Sequence, residues 1–219
     1  MKRAVICFTR VPRPGQTKTR LMPVLSGHQC AALHTAFLRD LNVLYTGLYA
    51  DLVISYAPDP DRSALEEIFP HASAFWPQQG EDLGTRMHDA LCRAFQQGYE
   101  AVLLTGSDLP ELEAERLEKA FTALETTDVV LGPTSDGGYY LIGMKAPCRR
   151  VFEGHRYGGA TVLGSTLAAI DAACLTAALA PTLDDVDTPE DLRRLAKNLS
   201  RDSHTGRCLE ELKKAGVDL

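Results

Sequence analysis

The chain has 219 residues, of which 45% are hydrophobic and 24% charged, and its formal net charge is -6. This length suits a single α/β domain spanning residues 1–219, and the composition is that of a folded globular protein. The negative balance argues against a broad nucleic-acid-binding surface. No apolar stretch approaches the roughly 20 residues that a membrane-spanning helix needs. The composition therefore argues against a nucleic-acid-binding protein and against a membrane-spanning one.

The six cysteines are widely scattered, with no Cys-x-x-Cys pair and no histidine at zinc-ligand spacing. This pattern is typical of reduced thiols and predicts a cytoplasmic location. The sequence leaves the oligomeric state open.

Apolar periodicity predicts strands and helices that alternate along the first half of the chain. A strand at residues 4–8 leads into a basic loop, and a helix begins near Ser26, which has capping-box spacing to Gln29. Strands at 50–56 and 73–76 follow, with a short helix opened by Asp59 and Pro60 between them. A helix over 83–97, a buried strand at 101–105 and a helix over 111–124 complete this half.

The second half continues the alternation with one hairpin. Strands at 129–131 and 139–144 are joined by a turn rich in glycine, so the second of them is expected to run antiparallel. Helices are predicted over 161–173, from Thr188 onward and over 209–214. The whole pattern predicts an α/β, Rossmann-like, three-layer domain with a mostly parallel sheet and an antiparallel strand.

Asp108 follows a predicted strand that begins with four apolar residues, AVLL (101–104). Ligands of parallel sheets bind beyond the carboxyl ends of the strands. A carboxylate there suits a magnesium ion held against phosphate, because this ion takes one or two carboxylates and fills its shell with phosphate oxygens and water. The alternative is that Asp108 caps the helix that starts near Pro110.

The loop after the first strand carries four cations and no acid. Arg10, Arg13, Lys18 and Arg20 can donate charge-assisted hydrogen bonds to phosphate oxygens, and Gly15 permits close approach of the backbone. The alternative is a solvated basic loop.

The start of the helix at residue 83 offers a second candidate contact. Asp82 and Arg86 flank this start, and Gly84 lies inside its first turn. The acid suits the positive end of the helix dipole without any ligand. A contact with a nucleobase or ribose is the functional alternative, because helix propensity does not explain a glycine there.

The hairpin and the acidic segment before Thr188 supply the remaining candidates. Asp136 precedes Gly137 and Gly138, which either form a structural turn or allow an acceptor substrate to approach, with Asp136 holding its hydroxyl or a metal. Asp187 is a candidate metal ligand, or else belongs with Asp185 to the helix start.

Five stretches together resemble the GT-A, or nucleotide-diphospho-sugar transferase, superfamily. They are FTRVPRPGQTKTRL (8–21), GEDLGTRM (80–87), GSDLP (106–110), GPTSDGGYYLIG (132–143) and DVDTPEDL (185–192). The nearest resemblance is to its small bacterial glycosyltransferase-like subgroup, which is often associated with arsenosugar biosynthesis. The superfamily often shows Asp-x-Asp where this chain has Ser107, Asp108 and Leu109, so the second metal ligand is open. The subgroup often has a tryptophan where this chain reads RYGGAT (156–161), so the acceptor does not carry over.

The resemblance implies a GT-A-like fold and a glycosyltransferase that uses a nucleotide-diphospho-sugar, a small-molecule acceptor and Mg²⁺ or Mn²⁺. The alternatives are a nucleotidyltransferase that releases pyrophosphate from a nucleoside triphosphate and a phosphorylated acceptor, and an inactive nucleotide-binding module. The expected site residues form three groups. The nucleotide contacts are Thr9, Arg10, Arg13, Gly15, Lys18, Arg20, Asp82, Arg86 and Ser107. The metal ligands are Asp108 and Asp187. The acceptor side is Asp136, Gly137, Gly138 and Tyr139, with Asp136, Lys18 and Arg20 as the catalytic groups.

Overall fold

The structure is a computed structural model that describes residues 1–200 and 202–219. Its strands are β1 (Arg3–Thr9), β2 (Asp51–Tyr56), β3 (Ala74–Pro77), β4 (Ala101–Thr105), β5 (Val129–Pro133), β6 (Tyr139–Met144) and β7 (Ala177–Leu179). Within that part of the chain they form one seven-stranded sheet in the order β3-β2-β1-β4-β6-β5-β7.

The helices are α1 (Gly27–Thr46), α2 (Ser63–Ile68), α3 (Leu83–Gln96), α4 (Ala114–Thr126), α5 (Val162–Ala172), α6 (Pro189–Asn198) and α7 (His204–Lys214). Short 3-10 turns lie at Thr19–Leu21 and Arg149–Phe152. The helices cover both faces of the sheet. Both faces can be packed in this way because successive side chains along each strand point to opposite sides. Val5 of β1 packs with the residues of α1 and α4, whereas Ile6 packs with those of α3. These two cores give the three layers that the sequence predicts.

The sheet is mainly parallel, with β6 as its antiparallel member. The pairs of β1 with β2 and with β4 are parallel, and β6 runs antiparallel between β4 and β5. The predicted fold class is therefore confirmed. The antiparallel strand follows from the short turn after β5, which reverses the chain directly.

Local capping explains one helix start that is predicted correctly and one that is wrong. The capping box of Ser26 and Gln29 is present at α1. The short helix starts at Ser63 instead of Asp59, because the carboxylates of Asp59 and Asp61 accept the backbone N–H groups of Asp61 and Ser63. Helix α4 starts three residues later than predicted, and β7 was not predicted at all.

All six cysteines lie in the described residues and are free thiols. Within residues 1–200 and 202–219, no helix has the length and apolar character needed to cross a membrane.

Two glycines provide a matched test of the packing between β4, β5 and β6. A Cβ added to Gly143 would overlap Leu103 Cδ2 and lie 2.6 Å from Val130 Cγ1, whereas a Cβ on Gly164 in α5 meets nothing within 4 Å. We expect Gly143→Ala to lower the free energy of unfolding by about 1–3 kcal/mol through overpacking. Gly164→Ala should instead raise it by up to about 1 kcal/mol because alanine favours the helix. Urea denaturation measures both, and equal effects would contradict this packing.

Candidate active site

Asp108 and the basic loop lie at the same edge of the sheet. Asp108 follows β4 and the loop follows β1, and these two strands are parallel neighbours. A cavity of about 510 Å³ opens at this edge, lined by Arg10, Lys18, Ser107 and Asp108 among others. Asp108 does not cap a helix, since α4 begins at Ala114 with Glu113 as its N-cap. Asp108 is therefore not a helix cap, and it lines the cavity.

Lys18 links Asp108 to the acidic segment before α6. Its side chain is only 3% exposed, and its Nζ lies 2.8 Å from Asp108 Oδ1 and 3.3 Å from Asp187 Oδ1. It also donates a hydrogen bond of 2.7 Å to the carbonyl oxygen of Val186. The N–H of Val186 in turn donates to the Asp108 carbonyl at 3.0 Å. Side chains from three distant parts of the sequence thus meet at one point.

His34 is a site residue that the sequence analysis missed. It is a buried side chain of α1 whose Nδ1 lies 3.6 Å from Asp108 Oδ1. Its Nε2 contacts Thr9 Oγ1 at 3.3 Å. A signal was present, because His34 falls four residues after buried Cys30 and four before buried Leu38, on the apolar face of the helix.

The environment keeps Asp108 ionised. Burial by itself raises the pKa of this carboxyl, but the charge of Lys18 and the nearby His34 outweigh burial and hold the pKa well below its usual range. Asp185 shows the opposite result: burial, then the negative charges of Asp108 and Asp187, raise its pKa to about 7. Asp185 thus lies close enough to the carboxylates of Asp108 and Asp187 for their charges to oppose its ionisation.

The other three cations of the basic loop have different partners. Arg10 lines the cavity and donates to the Gln16 carbonyl at 3.1 Å. Arg20 lies 3.3 Å from Asp187 Oδ2 with 74% of its side chain exposed. Arg13 forms a two-point contact with Asp59, at 3.0 and 2.6 Å, and does not line the cavity.

Gly15 and Asp82 were also expected to bind nucleotide but do not line the cavity, whereas Gln78, which was not expected there, does. Gly15 forms a turn with φ 75° and adjoins Gly27. Asp82 is the N-cap of α3 and accepts the Thr85 N–H at 2.7 Å. Arg86 does line the cavity, with its Nε bonded to the Gly80 carbonyl at 2.9 Å. Gln78, missed from sequence, lines it as well and donates to the carbonyls of Thr9 and Ser55.

Gly84 and Gly137 both lie directly against the segment 152–160. A Cβ on Gly84 would lie 2.6 Å from the Phe152 carbonyl and 2.7 Å from the Tyr157 ring. A Cβ on Gly137, which has φ 87°, would overlap the Ala160 carbonyl. Close approach of the segment 152–160 accounts for both glycines without a ligand. His155 anchors that segment, because its Nε2 donates to the Val151 carbonyl (2.9 Å) and its Nδ1 is hydrogen-bonded to Ser165 Oγ (2.8 Å).

The hairpin residues divide between two neighbouring cavities. Tyr139 lines the first cavity. Asp136 lines a second cavity of about 270 Å³, and its Oδ1 accepts from Thr134 Oγ1 at 2.5 Å and from the Gly138 N–H at 3.1 Å. Gly138 lines neither cavity. Arg20, Asp185 and Asp187 line both cavities, which are therefore adjacent.

The second cavity is strongly acidic. Its lining includes two arginines, Arg20 and Arg194, and each is paired with a carboxylate, Asp187 and Asp191 respectively, at 3.3 Å. The carboxylates in the lining belong to Asp136, Asp184, Asp185, Asp187 and Asp191. Such a lining favours polar or positively charged groups over phosphates.

The residues at this edge fit a divalent cation that completes its shell with other oxygens. No group of three or more His, Cys, Asp or Glu side chains in residues 1–200 and 202–219 is arranged to hold a metal. Two carboxylates, Asp108 and Asp187, and the Val186 carbonyl do converge on a single point, the Nζ of Lys18. Mg²⁺ needs only one or two carboxylates when phosphate and water supply the rest.

The mostly parallel sheet with its antiparallel β6 has the fold of the GT-A, or nucleotide-diphospho-sugar transferase, superfamily. Within it, the chain belongs to the family described as "Uncharacterized protein conserved in bacteria (DUF2064)", whose model matches residues 41–159. No curated protein matches the chain.

Three solved structures illustrate the similarity. A Desulfovibrio desulfuricans G20 protein, provisionally described as a nucleotide-diphospho-sugar transferase, is 38% identical, with a TM-score of 0.91 and full coverage of both chains. A Leptospira borgpetersenii cytidylyltransferase is 16% identical (TM-score 0.57) over 99% of this chain and 95% of that one. A Mycobacterium tuberculosis H37Rv protein solved in complex with manganese is 14% identical (TM-score 0.54) over 91% and 100%. The last two share the fold alone.

Proposed function

We propose that the protein is a metal-dependent glycosyltransferase that takes a nucleotide-diphospho-sugar as donor and a small, unphosphorylated molecule as acceptor. The observation that carries this proposal is the pair of adjoining cavities. The first is bordered by cations and contains Asp108, whereas the second is acidic. A diphosphate suits the first, and an acceptor with hydroxyl groups suits the second.

The first cavity is assigned to the donor. Asp108 and Asp187 would hold Mg²⁺ or Mn²⁺, which neutralises charge that develops on a leaving diphosphate. Arg10 and Arg20 donate to the phosphate oxygens, and Lys18 adds a third positive charge. Arg86 and Gln78 line the same cavity and are assigned to the base or ribose. The amide oxygen of Gln78 has no partner in the described residues and is free to accept from the ligand.

The second cavity is assigned to the acceptor, with Asp136 as its base if the reaction inverts the sugar. The hydrogen bonds from Thr134 and Gly138 occupy Oδ1 of Asp136. The other carboxylate oxygen is left to receive the proton of an acceptor hydroxyl, the task of a general base in such a transfer.

Nucleotidyl transfer is the alternative reaction. It is tested as well because the cytidylyltransferase has a similar fold. That reaction needs a second phosphate-binding site for its acceptor. Of the two arginines that line the second cavity, Arg194 is already paired with Asp191 and Arg20 is assigned to the donor phosphates, which favours sugar transfer. An inactive module would bind nucleotide without turnover.

Two measurements test the proposal. Calorimetry with UDP and GDP, with and without Mn²⁺, should detect metal-dependent binding. Incubation with a panel of nucleotide-sugars, hydroxyl-bearing acceptors and Mn²⁺ should release the nucleoside diphosphate as the sugar passes to the acceptor hydroxyl or to water. Release of pyrophosphate from a nucleoside triphosphate, dependent on a sugar phosphate, would overturn the proposal in favour of nucleotidyl transfer. Nucleotide binding with neither product would favour the inactive module. The manganese-bound structure of the M. tuberculosis protein makes Mn²⁺ the first ion to test.

Arg10 and Arg13 give a matched pair of variants for the donor site. Arg10 lines the cavity, whereas Arg13 is held by Asp59 outside it. A charge-assisted hydrogen bond contributes about 1.5–3 kcal/mol. We therefore expect Arg10→Gln to weaken nucleoside diphosphate binding by about tenfold or more, and Arg13→Gln by less than about threefold. Calorimetry measures both, and a larger loss in Arg13→Gln would assign the phosphates to the other side of the loop.

A further inference from the structure

The ammonium group of Lys18 is coordinated like a bound cation. Its three donors meet three oxygens: the Val186 carbonyl at 2.7 Å, Asp108 Oδ1 at 2.8 Å and Asp187 Oδ1 at 3.3 Å. On another side it lies 5.2 Å from the centre of the Phe37 ring. Only 3% of the Lys18 side chain is exposed, so water does not compete for these contacts.

Two carboxylates and a carbonyl are also the oxygen ligands that Mg²⁺ and Mn²⁺ prefer. An ammonium group and a divalent ion cannot occupy the same point. We propose that Lys18 is a built-in cation that fills the metal position in the ligand-free protein and is exchanged for the divalent ion when nucleotide binds. The inference rests on the metal-dependent function proposed above.

The backbone at Lys18 is suited to such an exchange. Its φ of 53° lies in the left-handed region, a backbone conformation that residues other than glycine rarely adopt. Strained residues of this kind persist where surrounding contacts compensate for them. A metal ion held by Asp108 and Asp187 would remove two of those contacts, and Lys18 would then be able to leave this backbone conformation.

The exchange couples the metal to the nucleotide. A released Lys18 needs an anionic partner, and the phosphates of a nucleotide in the adjoining cavity provide one. Each ligand therefore favours the conformation that the other requires. By linkage, Mn²⁺ must tighten nucleotide binding by the same factor by which nucleotide tightens Mn²⁺ binding.

Removal of Lys18 provides the distinguishing test, because it should strengthen metal binding. Electron paramagnetic resonance of free Mn²⁺ measures metal affinity without nucleotide in the wild type, in Lys18→Met and in Lys119→Met. Lys119 is 65% exposed and paired with Glu115, so it is the control. We expect Lys18→Met to bind Mn²⁺ about tenfold or more tightly than the wild type, and Lys119→Met to match the wild type. Equal or weaker binding by folded Lys18→Met would overturn the inference.

A second measurement uses the wild type alone and so does not depend on the folding of a variant. Brief acetylation followed by peptide mass spectrometry reports how accessible each lysine amine is. By mass action, a saturating concentration of Mn²⁺ should drive the exchange even without nucleotide, so it should raise the labelling of Lys18 several-fold and leave that of Lys119 unchanged. Unchanged labelling of Lys18 at a saturating Mn²⁺ concentration would show that Lys18 is only a structural link.

The same titrations separate the two proposals. If the wild type binds Mn²⁺ together with UDP or GDP while Lys18→Met shows no gain without nucleotide, the exchange is wrong and the proposed function stands. If no protein binds Mn²⁺ even with nucleotide, the metal-dependent function is wrong and the exchange falls with it.

Discussion

Asp108→Asn is expected to lower turnover of the nucleotide-sugar by about 10³-fold. The substitution keeps the shape of the side chain and removes the charge that would hold the metal against the diphosphate. Loss of one preorganised electrostatic group in an active site typically costs about 10²–10³ in rate, and loss of the metal adds to this. Steady-state release of nucleoside diphosphate measures the effect.

The fold should survive this change. Lys18 keeps Asp187 and the Val186 carbonyl as partners in Asp108→Asn, so circular dichroism should be unaltered. Asp171→Asn is the matched control, because Asp171 is an exposed carboxylate on α5. We expect it to retain full turnover. If Asp108→Asn kept its activity within tenfold of the wild type, the metal or the reacting groups would have to be assigned to a place other than the end of β4.

Phe121→Ala is expected to produce the largest loss of stability, about 3–5 kcal/mol in the free energy of unfolding. Phe121 is completely buried on α4, in the core that supports β4. Its ring also lies 5.0 Å from the Arg3 guanidinium. Truncation removes the apolar contacts and leaves a cavity that the sheet cannot close, since protein cores are tightly packed.

Urea denaturation of Phe121→Ala and Tyr49→Ala separates burial from aromatic character. Tyr49 is 89% exposed, so its substitution should change stability by no more than about 0.5 kcal/mol. A loss below about 1 kcal/mol in Phe121→Ala would show that α4 does not form the main support of β4.

The sequence was sufficient where the signal is local. The four-residue apolar run before Asp108, the capping box at Ser26 and the turn after β5 each depend on residues close to one another in the chain. Periodicity and capping therefore predict the strand, the helix start and the hairpin correctly. The shared edge of β1 and β4 follows from the rule that parallel strands end on the same side. It is enough to bring Asp108 to the basic loop.

Only the tertiary structure decided how the charges pair. Lys18, Asp108 and Asp187 are separated by 90 and 79 residues, and their contact depends on the order of the strands and on the backbone hydrogen bond between Val186 and Asp108. The pairing of Arg13 with Asp59 has the same origin. The sequence of a basic loop is the same whether its cations contact phosphate or a distant carboxylate. Charge patterns along the chain do not show which residues become neighbours after folding.

The burial of His34 and the close packing at Gly84 and Gly137 were likewise decided by elements distant in sequence. His34 meets Asp108 only because α1 lies against β1 and β4, and the glycines face the segment 152–160. The sequence by itself determined most of the strands and helices, although not β7, and it predicted the edge of the sheet at which the candidate site lies. Long-range packing determined which side chains meet there, because an ion pair or a close backbone contact forms only after the sheet has brought its partners together.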